Sequence, residues 1–262
     1  MTGVVVKPGA STALRVVERN AIIARHYWTT FVARLVEPFL FLFSIGVGVG
    51  ALVETVTGPD GAPISYRSFV APAMLVTSAM NAAIFATAID FFAKFKWVKS
   101  YESMLATPIA VEDLITGELI WILIVNAIQS AAFVVTMLAF GLIESWWGLL
   151  LLPTALLVAF TFASVGFVAA SYLRSWLDFD YVNLAIVPLF LFSASFFPLN
   201  RYPAPVAAVI RVTPLYHGVD LARDLALGAV GPWALISVAY LAILGLVALR
   251  FAERRLTAMM QP

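Results

Sequence analysis

Six runs without a single charged side chain divide this chain. They are Pro38–Val53, Ser68–Ile89, Leu119–Ile143, Ser145–Leu173, Tyr181–Asn200 and Leu225–Leu249, with 16, 22, 25, 29, 20 and 25 residues. A helix crosses the hydrocarbon core of a bilayer in about 20 residues. The first run is short, but Phe31–Leu35 extends it, and Arg34 near its end can snorkel to the interface. The pattern predicts six transmembrane helices at about 31–53, 67–91, 114–141, 147–173, 181–197 and 231–250. None of the ten-residue alternating segments of a membrane β-barrel is present. The expected fold is an all-α integral membrane protein, with residues 1–262 forming one transmembrane domain.

Two further segments are patterned. Within the first thirty residues, Leu14, Val17, Ala21, Ala24 and Trp28 recur at steps of three and four, with Arg15, Arg19 and His26 largely off that face. This predicts an amphipathic helix lying in the membrane interface, with Trp28 at headgroup depth. Residues 198–230 are too polar to span and too apolar for a free loop. Pro198, Pro203, Pro205 and Pro214 divide them into short helices, expected on the outer side and re-entrant before the last span. Glu54–Tyr66, with its Gly-Pro-Asp-Gly, reads as an outer turn segment, and Gly141–Trp147 as a tight turn anchored by Trp146 and Trp147.

Composition agrees with the pattern. The chain is 62% hydrophobic and 12% charged, with a mean hydropathy of +0.96. Soluble domains are about 45–50% apolar and about 25% charged. The net charge of +1 gives no electrostatic ground for binding nucleic acid. The absence of cysteine excludes disulfides, thiolate metal sites and a thiol nucleophile. The basic residues set the orientation. With the N-terminus inside, 12 of the 16 fall at the cytosolic side, and Arg67, Arg201, Arg211 and Arg223 lie outside. Both termini are expected in the cytosol.

The chemistry-bearing residues are few. No Gly-Lys-Ser/Thr phosphate loop exists, so the chain is expected to bind no nucleotide or other cofactor itself. His26 and His217 fall on opposite sides of the membrane in this topology, which leaves no histidine-based metal site. Ser193 and Ser195 are expected to bond backbone carbonyls rather than act as nucleophiles. The charges at the inner membrane edge are Arg34, Glu37, Asp90 and Glu118. They suit ion pairs such as Glu37 with Arg34 and Asp90 with Lys94, or a substrate entrance. Phe39, Phe43, Phe85, Phe192 and Phe196 suit either lipid-facing packing or a greasy path for a hydrophobic cargo. Phe91–Glu118 is the longest polar interruption between long apolar runs, with the loop of residues 92–113 at its centre. Met104 and Leu105 sit there as apolar residues that call for a cover.

Tyr101–Trp121, YESMLATPIAVEDLITGELIW, resembles the loop and third-span start of type-2 ABC exporter permeases. Phe192–Gly228 is similar to the outer segment of their lipo-oligosaccharide (nodulation-factor) branch. The matching motifs here are Phe197-Pro198-Leu199, Pro214-Leu215-Tyr216-His217 and Asp220-Leu221-Ala222-Arg223. The resemblance implies a permease subunit in a bacterial inner membrane, paired with a second permease, identical or paralogous. Two separate ATP-binding subunits would supply ATP and Mg chemistry. It also implies a coupling helix at about Val98–Thr107, with Lys99, Tyr101, Glu102, Met104 and Leu105 meeting the ATPase. Glycolipid, drug and polysaccharide cargoes share these motifs. An ion-coupled carrier and a lipid-modifying enzyme are the rival classes. The first is disfavoured by the lack of mid-membrane acids, the second by the lack of a catalytic constellation.

Overall fold

The computed structural model describes residues 10–26, isolated positions at 29, 32, 36, 40, 43, 44, 48 and 53, then 55–58, 61–96, 98, 100–107 and 109–260. The first expected span, about 31–53, therefore lies outside the described residues apart from those single positions. The described elements are α1 (Ala10–His26), β1 (Thr55–Thr57), β2 (Pro63–Ser65), α2 (Tyr66–Lys96), α3 (Ser100–Leu105) and α4 (Val111–Ala139). They continue as α5 (Leu151–Ala170), α6 (Phe179–Leu191), α7 (Ala204–Val212), α8 (Pro214–Leu227) and α9 (Trp233–Met260).

Four helices are long and apolar enough to cross a membrane. They are α2 with 31 residues, α4 with 29, α5 together with its leading turn from Trp146 with 25, and α9 with 28. The Ser65 hydroxyl starts α2 by accepting the Ser68 N–H at 3.1 Å. Near its far end α2 widens into a π-helical stretch over Phe85–Phe91. There the Thr87 hydroxyl donates to the carbonyls of Ala83 and Ile84 at 2.8 and 3.2 Å. Gly166 of α5 faces Thr87, and a Cβ at that glycine would overlap the threonine oxygen. Helix α5 lies at the centre of the bundle and touches α2, α4, α8 and α9. Gly245 of α9 lets the two backbones approach, since a Cβ there would stand 3.1 Å from Thr161 Cα. The Thr161 hydroxyl donates to Leu241 O of α9 at 3.0 Å.

The structure departs from the sequence pattern in three places. Thr55–Thr57 and Pro63–Ser65 pair as short antiparallel strands rather than a plain turn, Thr55 opposite Ser65 and Val56 opposite Ile64. Helix α6 stops at Leu191, short of the expected 181–197. Its 13 residues reach only about 20 Å. Beyond it Phe192 leaves the helical region and Ala194 takes φ of +56°. The Ser193 hydroxyl donates back to Phe190 O at 2.8 Å, as such serines do where a helix ends.

The third departure concerns α1, which buries Ala13, Val16 and Asn20 against the bundle while Leu14 stays 56% exposed. Its packed face is turned from the Leu14–Val17–Ala21–Ala24 stripe. Close approach decides this, because Gly117 of α4 sits against Ala13 and Val16. A Cβ at Gly117 would come within 2.6 Å of both Ala13 O and Val16 Cβ. The segment after α6 folds as two short helices begun by prolines, and α8 ends on Gly228 at φ +84°. Helix α8 packs inward among α2, α5 and α9, with Leu215, Val219 and Ala222 buried.

Candidate functional site

At the end of the bundle that holds α1, the chain leaves α2, forms the one-and-a-half-turn α3, and returns as α4. Lys94, on the last turn of α2, reaches both carboxylate oxygens of Glu118 on α4, at 2.8 and 3.1 Å. The Glu118 side chain is 3% exposed and that of Lys94 is 27%. A buried carboxylate requires such a partner. Tyr101 of α3 is wholly buried beside this pair. Its ring lies 5.0 Å from that of Phe91, which in turn meets Phe167 of α5 edge-on at 5.0 Å. Burial, with the Glu118 carboxylate next, pushes the Tyr101 hydroxyl well above its ordinary pKa. It stays neutral in the physiological range. Arg19 of α1 and Asp90 of α2 are near enough to act on it electrostatically. Phe92 meets Phe179, at the start of α6, edge-on with ring centres 5.4 Å apart. Three span ends and α1 therefore converge on the base of α3.

The expected docking residues divide. Tyr101 is turned fully inward, and Met104 and Leu105 are half-buried against the core, so the bundle itself covers much of their apolar surface. Ser103, Ala106 and Thr107 are exposed. Lys99, and the side chain of Glu102, lie outside the described residues. So do Arg34, Glu37 and Phe39 among the other expected sites. Of the inner-edge charges, Glu118 is buried in the pair with Lys94 and Asp90 is exposed. The pairing of Lys94 thus runs across helices and not solely along its own.

Phe43, Phe85 and Phe192 are exposed at 54, 42 and 46%, and Phe196 is half-buried against Phe190 at 5.0 Å. A cleft of about 740 Å³ opens at the other end of α2, between the paired strands and Phe196–Arg201, with Val56, Tyr66 and Phe197 in its lining. Sequence reasoning missed Arg19, Phe91, Gly117 and the Lys94–Glu118 pairing. Gly117, one residue before a lone acid at the head of an apolar run, was the available signal for a close helix contact.

These features define a multi-pass helical membrane protein whose span ends are tied around a short interhelical helix. Residues 13–227 match the family described as "ABC-2 type transporter", and the chain belongs to that family. It is similar to the protein named Nodulation protein J of Rhizobium leguminosarum bv. trifolii, 33% identical over 84% of each chain. It also resembles the proteins of that name from Rhizobium meliloti (strain 1021), 31% identical over 76% of this chain and 75% of that one, and from Azorhizobium caulinodans, 28% identical over 87% and 91%. The protein is a permease of an ABC exporter in a bacterial membrane, and its family implies a separate ATP-binding subunit as partner.

Proposed function

We propose that this chain is one half of the membrane part of an exporter that moves a lipid-linked cargo, a glycolipid or lipo-oligosaccharide, out of the cytosol or inner leaflet. Two permease subunits and two ATP-binding subunits make up the machine, which sits in the inner membrane. The end holding α1 and α3 faces the cytosol, as do both termini. Six spans complete the topology, the first within residues 31–53 and the fifth built on α6. The observation that carries the reading is α3 itself, a short helix between two long spans, seated by Tyr101 over the buried Lys94–Glu118 pair. Force applied to α3 by a nucleotide-binding partner passes directly to α2 and α4, because the pair and the aromatic cluster join their ends. Tyr101 serves as the anchor. Lys99, Glu102, Met104 and Leu105 supply the contact surface, and α1 adds a second one. The cargo class rests on the similarity to the nodulation relatives and on the aromatic lining of the cleft near Phe196 and Phe197.

The test is a charge reversal, Glu102→Lys, beside Met104→Glu, each in the reconstituted complex. Both are expected to reduce ATP hydrolysis stimulated by the permease; Glu102→Lys keeps thermal stability, while Met104→Glu lowers it because that side chain is half-buried against the core. Unchanged stimulation in both variants would remove α3 from the contact.

A further inference from the structure

Arg223 of α8 is 5% exposed. Its Nε donates to Phe69 O, near the start of α2, at 3.2 Å. Its Nη2 donates to Ala194 O, in the bend beyond α6, at 3.0 Å. The guanidinium also lies 3.7 Å from the centre of the Phe69 ring. Asp220, one turn earlier on α8, favours the charge electrostatically. One side chain therefore joins three segments that are far apart in sequence, using the rigid fork of donors that arginine alone provides.

The bend it holds is not one the local sequence favours. Among the described residues, Ala194 is the only non-glycine with a positive φ, +56°, a region disfavoured for a residue with a Cβ. The stretch Tyr181–Asn200 is free of charge, and the first proline beyond α6 is Pro198. A helix continued from Phe179 to Phe197 would run about 28 Å, close to the thickness of a bilayer core, against about 20 Å for α6 as it stands. The short form persists with its loose carbonyls served: Ser193 serves Phe190 O, freed by the break, and Arg223 serves Ala194 O, which Pro198, lacking an N–H, would leave unpaired even in a continued helix.

We infer that Arg223 is a positioning residue that sets the length of α6. By binding the Ala194 carbonyl it keeps residues 192–197 out of the helix, and its release lets them join it. A transporter cycles between shapes of its spans, and a helix with two lengths under the control of one side chain supplies such a change.

The chain has no cysteine, so two spin labels can be placed in the full-length protein without removing any native residue. Leu184 and Phe197 are 69 and 60% exposed and suit the labels. In lipid nanodiscs the Arg223-containing protein gives a single separation, shorter than the ~20 Å that thirteen residues of continuous helix set between the two backbones. Arg223→Lys adds a second population near that longer value. Adding Ala194→Gly to Arg223→Lys returns the single short separation, because glycine adopts positive φ freely. A core residue with only a packing role would show no such rescue. Should the lysine variant fail to fold, Arg223→Gln carries the same comparison. A distribution in the Arg223 variant identical to that of the parent overturns the proposal, as does a second population that Ala194→Gly leaves unchanged.

Discussion

Breaking the Lys94–Glu118 pair from its two sides should have unequal costs. The Glu118 side chain is 3% exposed, and the Nζ of Lys94 is the charge that meets it. Lys94 is 27% exposed and carries a flexible stem that can turn its ammonium to water. Lys94→Met therefore strands a buried carboxylate, at a cost of about 3–5 kcal/mol. Glu118→Gln leaves a neutral acceptor in place of the carboxylate, and Lys94 can turn its ammonium to solvent, so it costs about 1.5–3 kcal/mol, the scale of a charge-assisted hydrogen bond. The double change Lys94→Met with Glu118→Leu removes both charges and fills the space with apolar groups. It should lie closer to the parent than Lys94→Met alone. The assay is reversible unfolding of the full chain in mixed micelles, run as a double-mutant cycle. Equal costs for the two single changes, or a double variant as unstable as Lys94→Met, would refute the claim that the pair is a desolvated tie between α2 and α4.

Other outcomes follow from single contacts. Gly117→Val should push α1 off α4, at roughly 1–3 kcal/mol of overpacking, read as faster proteolysis between α1 and the bundle with spans intact. Tyr101→Ala empties a fully buried site against Phe91 and should destabilise by about 3–5 kcal/mol, whereas Tyr101→Phe keeps the ring packing and should cost far less. Backbone N–H groups of Arg174 and Ser175, at 2.6 and 3.0 Å, hold the carboxyl of Asp178 below the ordinary carboxylate range. The stabilisation this gives the turn before α6 is present above the unfolded pKa of about 4 and is lost as pH falls through the lower folded value. Asp178→Asn should abolish that acid dependence, measured by hydrogen exchange of the 174–180 amides between pH 6 and pH 3.

The long spans were legible because each announces itself by a charge-free run, and α2, α4, α5 and α9 fall where those runs lie. The polar loop holding α3 was legible for the same reason in reverse. The packed face of α1 was not, since its selection depends on Gly117, about a hundred residues away in sequence. Hydrophobic periodicity marks apolar faces and says nothing of which one meets a small residue on a neighbour. Glu118 was visible as an edge charge, but spacing offers its partner Lys94, 24 residues distant, the nearer Asp90 on the same helix. The break of α6 was hidden because Tyr181–Asn200 is one charge-free run whose prolines, Pro188 within α6 and Pro198 beyond the bend, do not mark the break itself. What stops the helix is a donor on α8, and no local pattern within the run records it.

The central claim is that this permease works with a separate ATP-binding subunit seated on α3. The most direct measurement is affinity purification of the chain from its native membrane after mild crosslinking, with identification of what accompanies it and of the crosslinked residues. The account predicts an ATP-binding subunit joined to residues of 98–107. A crosslinked preparation in which the chain is recovered alone, or with such a subunit joined only elsewhere, would contradict it.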